Sequence, residues 1–420
     1  MSALFRALET APRYAALLRS QYWKPEQLRA YTEYQLERIL KAAAKIPFYT
    51  DRFNGVARPQ DLEALPLLKR ADISALNRSV RSMYPAGRHF FAGASSGSTG
   101  MQAQFLFDRS RLRGRYAARL RFLRSHGWGP LRRTVWHRTA PFPGEQDADF
   151  LHHRILPGFM ALSTDLAAQV EQLVDIDPVY LYMFPSNLEG MLSVLEHRHL
   201  RLRSLRRIFT VSETLEDWLR QRARRILGVE IADQYGATEA SIAWQCPHGS
   251  YHANAEHVLL EVIDDAGRPV TPGEVGRVVI TTLENYLMPL VRYEIGDYAI
   301  TATGACPCGR TLPLLGRVVG RKFSLFRTSD GRLFSATLLT ELIRACPGMG
   351  QFQLLQRTAE SYVVRYVASQ PVSTDTESRI SREFDAFLGA PVHVTFERVA
   401  EIARTKGGKY MIAISDLAAN

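Results

Sequence analysis

Helix-like and strand-like segments alternate along residues 90–235, and this alternation constrains the fold more than any other feature of the sequence. The stretch TDLAAQVEQLVDI has helical periodicity, whereas PVYLYMF and RRIFTVS are short runs rich in β-forming residues. Such alternation is typical of a layered α/β domain, in which ligands bind where the strands end. We therefore expect an α/β fold with a binding site at one edge of its sheet.

The pattern changes twice further along the chain. From 256 to 303, the stretches EHVLLEVIDD, GRVVITTL and YAITAT are separated by Gly and Pro turns, which indicates an antiparallel β subdomain. After Gly320, QFQLLQR and SYVVRYVAS predict paired strands, TDTESRISREFDAFLG a helix and PVHVTFERV a third strand, a compact α+β module. Because 420 residues exceed the usual size of a single core, we predict a large N-terminal domain over 1–319 and a small C-terminal domain over 320–420.

Arginine supplies almost all of the net charge of +11, since the sequence has only seven lysines. Clusters such as RLRSLRRIF and RSRLRGRYAARLRFLRSHGWGPLRR are interpreted as solvated helix faces, because no nucleic-acid-binding motif accompanies them. Nucleic acid is therefore not expected as a partner. No run reaches the roughly 18 uncharged apolar residues that a membrane span requires. We expect a cytoplasmic protein that does not bind a membrane.

Residues 94–100 read ASSGSTG, which holds more glycine and hydroxyl residues than a chain reversal needs. Glycines let backbone N–H groups approach a ligand closely, and Ser and Thr hydroxyls add further donors, so the composition suits phosphate oxygens. A flexible surface loop is the alternative interpretation. The candidate phosphate-binding residues are Ser95, Ser96, Gly97, Ser98, Thr99 and Gly100.

Cysteines and histidines cluster in two short loops. Cys246 opens the stretch CPHGSYH, which also contains His248 and His252, and Cys306 and Cys308 lie in CPCGR. Three thiols and one imidazole suit tetrahedral zinc, and His252 is preferred to His248 because the longer loop lets its ring reach the same metal. Four protein ligands leave no open position, so the expected role is to pin the two loops together. Reduced, unliganded cysteines are the alternative.

Two further segments carry polar side chains near strand ends. The stretch IADQYGATEASIAW places Tyr235 and Gly236 at the end of an apolar strand and Thr238 and Glu239 on the loop that follows. Tyr235 could stack on a base, Thr238 could bond a phosphate and Glu239 could hold Mg²⁺, although each residue alone also fits a structural role. Asp297, in YEIGDYA, is predicted on a tight glycine turn, where its carboxylate could accept hydrogen bonds from ribose hydroxyls.

The ordered motifs SSGSTG, YGATE, RYEIGD, CPCGR, GRK and RTKGGK resemble the adenylate-forming superfamily, and specifically its branch of phenylacetate–CoA ligase and the CapK-like capsule-biosynthesis proteins. The resemblance spans residues 90–410, and six motifs in the same order make it specific. It implies a large N-terminal domain that combines layered α/β and β parts, and a small mobile α+β C-terminal domain. It also implies activation of a carboxylate as an acyl-adenylate.

The resemblance also implies which residues bind ATP. The segment Ser95–Gly100 would form the phosphate loop, and Tyr235, followed by Gly236, would pack on the adenine. Asp297 and Arg321 would hold the ribose. Zinc bound at the cysteine and histidine positions is a further feature that relatives in this branch suggest.

The reacting groups follow from the same resemblance. Thr238 would contact the phosphate and the substrate carboxylate, and Glu239 would bind Mg²⁺. Lys409 would bridge the carboxylate and the α-phosphate during adenylation, where charge builds up on the transferred group. Lys406 is a rival for this role, but the Gly-Lys order favours Lys409.

Two departures from the family pattern affect these expectations. Met101 and Gln102 follow the phosphate loop where relatives often have Lys-Pro, which removes a charge and a rigid bend. Phe323 stands where the family's hinge motif has an aspartate, which bears on the domain rotation and hence on the second half-reaction.

The sequence as a whole predicts an ATP- and Mg²⁺-dependent ligase that converts a carboxylic acid, with aryl acids among the candidates, to an acyl-adenylate. The acyl group would pass to a thiol, either coenzyme A or the phosphopantetheine of an acidic carrier protein, and the excess of arginine fits both anionic acceptors. The alternatives are adenylation followed by amide or ester formation on an amine or sugar, and a non-catalytic nucleotide-binding protein. A homodimer is the default expectation for assembly.

Overall fold

The architecture is that of a computed structural model, which describes residues 3–50, 52–53, 58–95, 103–129, 131–138, 153–157, 166–321, 325–331, 333–344, 346, 349, 351–403 and 411–419. The chain divides into two compact units, Met1–Leu215 with Arg220–Val318, and Glu216–Leu219 with Val319–Asn420. Within the described ranges, no helix combines the length and the apolar character needed to cross a membrane.

The secondary structure of the first unit alternates helices and strands, as predicted for 90–235. The helices are α1 (Ala3–Ser20), α2 (Pro25–Ala43), α3 (Pro47–Thr50), α4 (Ile73–Ser82), α5 (Arg109–Ser125), α6 (Leu166–Ile176), α7 (Pro185–His197) and α8 (Asp217–Leu227), the last of which begins in residues assigned to the second unit. The strands are β1 (Phe91–Ser95), β2 (Ala103–Phe107), β3 (Thr134–Arg138), β4 (His153–Pro157), β5 (Tyr180–Met183), β6 (Arg207–Val211), β7 (Glu230–Gly236), β8 (Ser241–Gln245), β9 (Tyr251–Ala253), β10 (Val258–Ile263), β11 (Val275–Thr282), β12 (Tyr293–Thr301) and β13 (Leu314–Arg321).

One large sheet organises this unit. Its strand order is β10-β11-β12-β13-β9-β8-β7-β6-β5-β3-β4. The pairs β3/β4, β3/β5, β5/β6 and β6/β7 are parallel, whereas β7/β8, β8/β9, β10/β11 and β11/β12 are antiparallel. The antiparallel strands predicted within 256–303 are therefore present, and they extend the same hydrogen-bonded sheet as the parallel strands. The direction of pairing reverses at β7, the strand that ends in Tyr235 and Gly236.

A separate hairpin of β1 and β2 precedes this sheet. The two strands are antiparallel, with Gly93 opposite Phe105 and Ser95 opposite Ala103. The loop predicted to bind phosphate thus begins at the last residue of β1 and leads to the first residue of β2, and its members 96–100 lie outside the described residues.

Helix α5 corrects one prediction from the sequence. The arginine-rich stretch was expected to form a solvated face, yet Arg111, Arg119 and Arg121 are buried. Arg121 pairs with Glu256 at 2.7 Å and Arg111 pairs with Glu284 at 3.3 Å. The expectation was wrong for Arg111 and Arg121 because acidic partners far along the chain neutralise their charge, which makes burial of an arginine tolerable. The Arg119 guanidinium lies over the rings of Tyr116 and Trp136.

The N-terminal helices are tied to distant parts of the first unit. Helix α1 packs along α5, and the hydroxyl of Ser20 donates to Glu256 at 2.6 Å. The residues after α1 bond the segment beyond CPCGR: the Thr311 amide donates to the Gln21 carbonyl at 3.0 Å, and the Thr311 hydroxyl donates to the Trp23 carbonyl at 2.6 Å. This group of contacts is called the 21–311 clamp below.

The second unit has the α+β character predicted for its sequence. Its elements are β14 (Leu325–Arg327), β15 (Leu333–Ser335), α9 (Thr337–Arg344), β16 (Gln351–Gln356), β17 (Ser361–Val367), α10 (Thr374–Leu388), β18 (His393–Arg398) and β19 (Ala413–Ser415). Strands β18-β17-β16-β19 form one sheet, in which only β16 and β17 are antiparallel among the described pairs. Its core includes Phe352, Tyr362 and Phe384.

Candidate nucleotide and metal sites

The loop between β7 and β8 lies where the sheet changes from parallel to antiparallel pairing. Strand β7 ends at Gly236, and the Ala237 amide donates to the Ala240 carbonyl at 2.8 Å, which closes a tight loop over 237–240. A change of strand direction leaves a crevice at the sheet edge, which is the usual place for a nucleotide in open α/β sheets. Thr238 and Glu239 lie on this loop, as predicted.

Tyr235 and Asp297 are joined across the sheet. The Tyr235 hydroxyl donates to Asp297 Oδ2 at 2.9 Å, and both residues are largely buried. Asp297 does not lie on a turn as predicted, because it is inside β12. Gly296 has φ of 83°, and the β11/β12 register shifts opposite it, so a bulge in the strand directs the Asp297 side chain.

The strand that leads to the predicted phosphate loop passes beside Thr238. A Cβ atom placed on Gly93 would lie 2.6 Å from Thr238 Cγ2, so the backbone of β1 approaches this threonine as closely as glycine allows. Glu239 is buried next to it and accepts a hydrogen bond from the Tyr293 hydroxyl at 3.4 Å. The described structure therefore brings four predicted site residues and strand β1 to one region, namely Tyr235, Thr238, Glu239 and Asp297.

Other predicted site residues are described in part or not at all. Ser95 ends β1 and Arg321 ends β13, and only their backbone is described. Several residues named in the sequence analysis lie outside the described residues, namely Ser96, Gly97, Ser98, Thr99, Gly100, Met101, Gln102, Phe323, Lys406 and Lys409.

The aromatic stretches YLYMFPSNLEG and TVWHRTAPFPG could line a pocket for the acid, and two of their residues have a packing role in the structure. The rings of Trp136 and Tyr182 lie 4.6 Å apart, and the Tyr182 hydroxyl donates to Gln234 Oε1 at 3.0 Å. Tyr182 is buried in the core that also holds Phe209. These contacts account for the aromatic residues without a bound acid.

Sequence reasoning missed the buried carboxylate of Asp233, two residues before Tyr235. The hydroxyls of Thr210 and Tyr251 both donate to it at 2.5 Å, and burial raises its pKa. These bonds fix β7 immediately before the site. The signal was an aspartate inside the apolar run IADQYG, since a charged residue inside a buried strand requires partners.

The predicted metal ligands converge in a different part of the first unit. The ligand atoms of Cys246, His252, Cys306 and Cys308 all lie within 4.8 Å of one another. The Sγ atoms of Cys246 and Cys306 are 3.6 Å apart, and Cys308 Sγ is 3.3 Å from His252 Nε2. Tetrahedral zinc with bonds of about 2.3 Å to sulfur and 2.0 Å to nitrogen would separate such pairs by roughly 3.8 and 3.5 Å. The donor set and its spacing fit that metal.

The histidine in this cluster has the orientation of a ligand. His252 is fully buried, and burial lowers its pKa to about 4, so the ring is neutral at pH 7. Its Nδ1 atom lies 3.4 Å from the Leu312 carbonyl, which favours the tautomer with a lone pair on Nε2, facing Cys308. His248, the alternative, is exposed. Burial raises the pKa of the Cys246 thiol to about 11, so a metal would have to displace its proton.

The fold and the matching family models define an enzyme of the AMP-binding class. The family model described as "AMP-binding enzyme" matches residues 154–287, and the model described as "CapK C-terminal domain" matches 326–416. The chain belongs to the adenylate-forming superfamily, in the branch that contains the phenylacetate–CoA ligases and CapK proteins.

Two named relatives and a solved structure are similar to this chain over half of its length or more. Phenylacetate-coenzyme A ligase of Thermus thermophilus is 25% identical over 96% of this chain and 97% of that protein. Protein CapK of Staphylococcus aureus is 22% identical over 50% of this chain and 46% of that protein. The crystal structure of 2-hydroxyisobutyryl-CoA ligase in the postadenylation state, in complex with 2-HIB-AMP, has a TM-score of 0.77 with 21% identity, covers 95% of this chain and 93% of that one, and shows a shared fold.

Proposed function

We propose that this protein is an ATP-dependent acid–CoA ligase, which activates a carboxylic acid as an acyl-adenylate and transfers the acyl group to coenzyme A. The observation that carries the proposal is the convergence of Tyr235, Thr238, Glu239 and Asp297 beside strand β1. The similarity to phenylacetate-coenzyme A ligase over nearly the whole chain supports the same activity.

Each residue in this group has a chemical role in the proposal. Tyr235 packs on the adenine, and Asp297, oriented by the Tyr235 hydroxyl, accepts hydrogen bonds from the ribose. Thr238 donates to the substrate carboxylate and the phosphate. Glu239 would hold Mg²⁺, which neutralises phosphate charge when it is bound. Lys409 would stabilise the negative charge that develops on the α-phosphate as the carboxylate attacks and pyrophosphate leaves.

The test is ATP–pyrophosphate exchange measured with aryl, short-chain and fatty acids. We expect exchange with one class of acid in the wild type and a loss of at least about 100-fold in Lys409→Ala, since removal of a group that stabilises transition-state charge costs about 2.7 kcal/mol or more. Addition of coenzyme A should then yield the thioester. An active Lys409→Ala variant would contradict the role of the lysine, and absence of exchange with every acid would contradict the ligase.

A second candidate function, with a different acyl acceptor, follows from the match to the CapK C-terminal domain over 326–416. In this case the acyl-adenylate would be attacked by an amine or a sugar hydroxyl, giving an amide or an ester. Comparing products with and without coenzyme A distinguishes the two. Transfer to a small amine or sugar, with no thioester when coenzyme A is present, would favour the second candidate. The phosphopantetheine of a carrier protein is tested as an acceptor in the same assay.

The four-residue cluster is proposed as a structural zinc site, supported by its donor set and spacing. We expect about one zinc per chain by elemental analysis of the purified protein. Cys308→Ser should lower the zinc content and reduce the melting temperature by roughly 5 °C. Cys346→Ser is the matched control, since Cys346 is also a free cysteine but lies outside the cluster. Equal zinc content in wild type and Cys308→Ser would contradict the site.

A further inference from the structure

Arg111 connects helix α5 to the loop that carries Thr238 and Glu239. Its side chain is 2% exposed. The Nε atom donates to the Glu239 carbonyl oxygen at 3.2 Å, and one Nη atom donates to Glu284 Oε1 at 3.3 Å. One rigid guanidinium therefore holds the backbone of the 237–240 loop and a carboxylate at the same time.

Glu284, the partner of Arg111, has almost no freedom to move. Its Oε2 atom lies 2.5 Å from His257 Nδ1 and 3.5 Å from a guanidinium nitrogen of Arg13. A Cβ atom on Gly114 would lie 1.7 Å from the same oxygen, so the carboxylate occupies the space that a side chain at 114 would fill. The position of Arg111 is thus fixed by a carboxylate that is itself fixed on several sides.

The charge of Arg111 also acts on the loop. Its electrostatic partners are Glu284, the strongest, then Glu239 and Asp108. A buried arginine without such partners would be strongly destabilising, and buried ion pairs contribute little net stability compared with apolar packing. The ion pair instead fixes the position of the Arg111 side chain relative to the loop, because a guanidinium donates in fixed directions.

We propose that Arg111 is a positioning residue for adenylation, which holds the Glu239 backbone so that the Thr238 hydroxyl and the Glu239 carboxylate are arranged before ATP and Mg²⁺ bind. The inference rests on the proposed function, since it assigns the loop to the adenylation step. Arg111 itself acts through the loop and needs no contact with the substrate.

The first test is the Mg²⁺ dependence of ATP–pyrophosphate exchange in Arg111→Lys. Lysine keeps the charge but lacks the fork that reaches two acceptors. If the loop is correctly arranged in only about a tenth of the molecules, the Mg²⁺ concentration for half-maximal exchange rises about tenfold, while the rate at saturating Mg²⁺ falls much less. An unchanged Mg²⁺ dependence would overturn the proposal.

Arg121→Lys is the matched control. Arg121 lies on the same helix, is 1% exposed and pairs with Glu256 and Asn254 rather than with the loop. Both variants lose stability, but only Arg111→Lys should shift the Mg²⁺ dependence. An equal shift in Arg121→Lys would mean that general destabilisation is the cause, and it would overturn the positioning role.

Amide hydrogen exchange of the ligand-free protein provides a readout that does not depend on catalysis. We expect the Ala237 amide, which bonds the Ala240 carbonyl, to exchange at least about tenfold faster in Arg111→Lys and at the wild-type rate in Arg121→Lys. Should Arg111→Lys fail to fold, Glu284→Gln removes the partner charge and should accelerate the same amide. Unchanged protection of this amide would overturn the proposal for Arg111. A wild type without pyrophosphate exchange is a different result, and it would contradict only the proposed ligase activity.

Discussion

Gly93 determines how closely strand β1 approaches the proposed adenylation residues. A Cβ atom at this position would lie 2.6 Å from Thr238 Cγ2 and 2.9 Å from Phe107 Cε2, distances that real Cβ contacts essentially never show. Neither neighbour can move freely, because Thr238 lies on a closed loop and Phe107 is buried in the core. The absence of a side chain at Gly93 therefore sets the position of the strand that precedes the proposed phosphate loop.

Gly93→Ala should impair ATP use more than stability. We expect the KM for ATP in pyrophosphate exchange to rise about tenfold, equivalent to about 1.4 kcal/mol, because the strand must move away from Thr238. Gly129→Ala is the matched control, since the nearest atom to a Cβ there is 3.8 Å away. A wild-type KM in Gly93→Ala would show that β1 can move without affecting the nucleotide site.

Tyr235→Phe tests the bond between Tyr235 and Asp297 directly. The substitution keeps the ring for stacking on adenine and removes only the hydroxyl that donates to Asp297 Oδ2. Loss of a hydrogen bond to a charged group is worth roughly 1.5–3 kcal/mol, so we expect a rise of at least about tenfold in the KM for ATP. Comparing ATP with 2′-deoxy-ATP locates the effect on KM. The rise in KM caused by Tyr235→Phe should be smaller with 2′-deoxy-ATP, because one ribose hydroxyl is missing.

At the scale of single elements, helix α5 shows what sequence patterns can and cannot predict. The arginine-rich stretch was interpreted as a helix, but its buried face was not predicted. An arginine-rich face is normally solvated, and the acids that make burial tolerable, Glu256 and Glu284, follow Arg111 and Arg121 by more than 130 residues. Long-range ion pairs of this kind leave no local signal. The only local indication was Gly114, a poor helix former in the middle of the helix.

Gly114→Ala should destabilise the protein although alanine favours helices. Intrinsic propensity alone would add about 1 kcal/mol of stability. The new Cβ would overlap Glu284 Oε2, and we expect a net loss of about 2 kcal/mol from overpacking and displacement of the carboxylate. The measurement is urea unfolding of the purified variant. Increased stability would mean that Glu284 moves without cost, contrary to the contacts described above.

Strand β12 illustrates a second limit of sequence reasoning. The dipeptide Gly296-Asp297 is typical of turns, and a turn was predicted there. The structure instead continues the strand through a glycine with positive φ, because pairing with β11 on both sides of the bulge holds the chain extended. The tertiary pairing partner, rather than the local sequence, decides between a turn and a bulge. The proposed ribose contact of Asp297 is compatible with either conformation.

At the scale of the whole molecule, the types of secondary structure along the chain could be predicted from the sequence. The joining of their strands into one sheet could not. The alternating segments, the antiparallel strands and the final α+β module all appeared as expected, since each is encoded in local periodicity. The joining of parallel and antiparallel strands into one sheet depends on long-range pairing. Among the proposed site residues, those in compact motifs such as YGATE could be named from the sequence, whereas Arg111, Glu284 and Asp233, which act through partners distant in sequence, could not.

His137, which is buried, and His126, which is partly buried, should make global stability depend on pH. Burial lowers the pKa of His126 and of His137 to about 4, compared with 6.5 when unfolded. The unfolded chain therefore binds more protons between these values, so their stabilising effect is complete above pH 6.5 and is lost as the pH falls toward 4. Each should contribute a loss on the order of 1–2 kcal/mol by pH 5.

The measurement is the melting temperature of wild type and His126→Phe from pH 7.5 to pH 5. Phenylalanine fits the aromatic contacts that His126 makes with Phe122 and Phe209 but does not titrate. The variant should lose less stability on acidification than the wild type, whatever its stability at pH 7.5. His248→Gln, at an exposed position, should retain the wild-type slope. Identical slopes in all three proteins would rule out His126 as a source of the pH dependence.

The 21–311 clamp has a consequence for how the chain is made. Gln21 is synthesised about 290 residues before its partners Arg310 and Thr311. At a synthesis rate of about 5–20 residues per second, the segment after α1 lacks these partners for roughly 15–60 seconds. The clamp is thus a late contact in biogenesis, formed well after α5, on which α1 packs, has been synthesised. A polypeptide that stops before residue 310 cannot form the clamp, so truncated products should be recognisable to cellular proteases by an unclamped segment after α1.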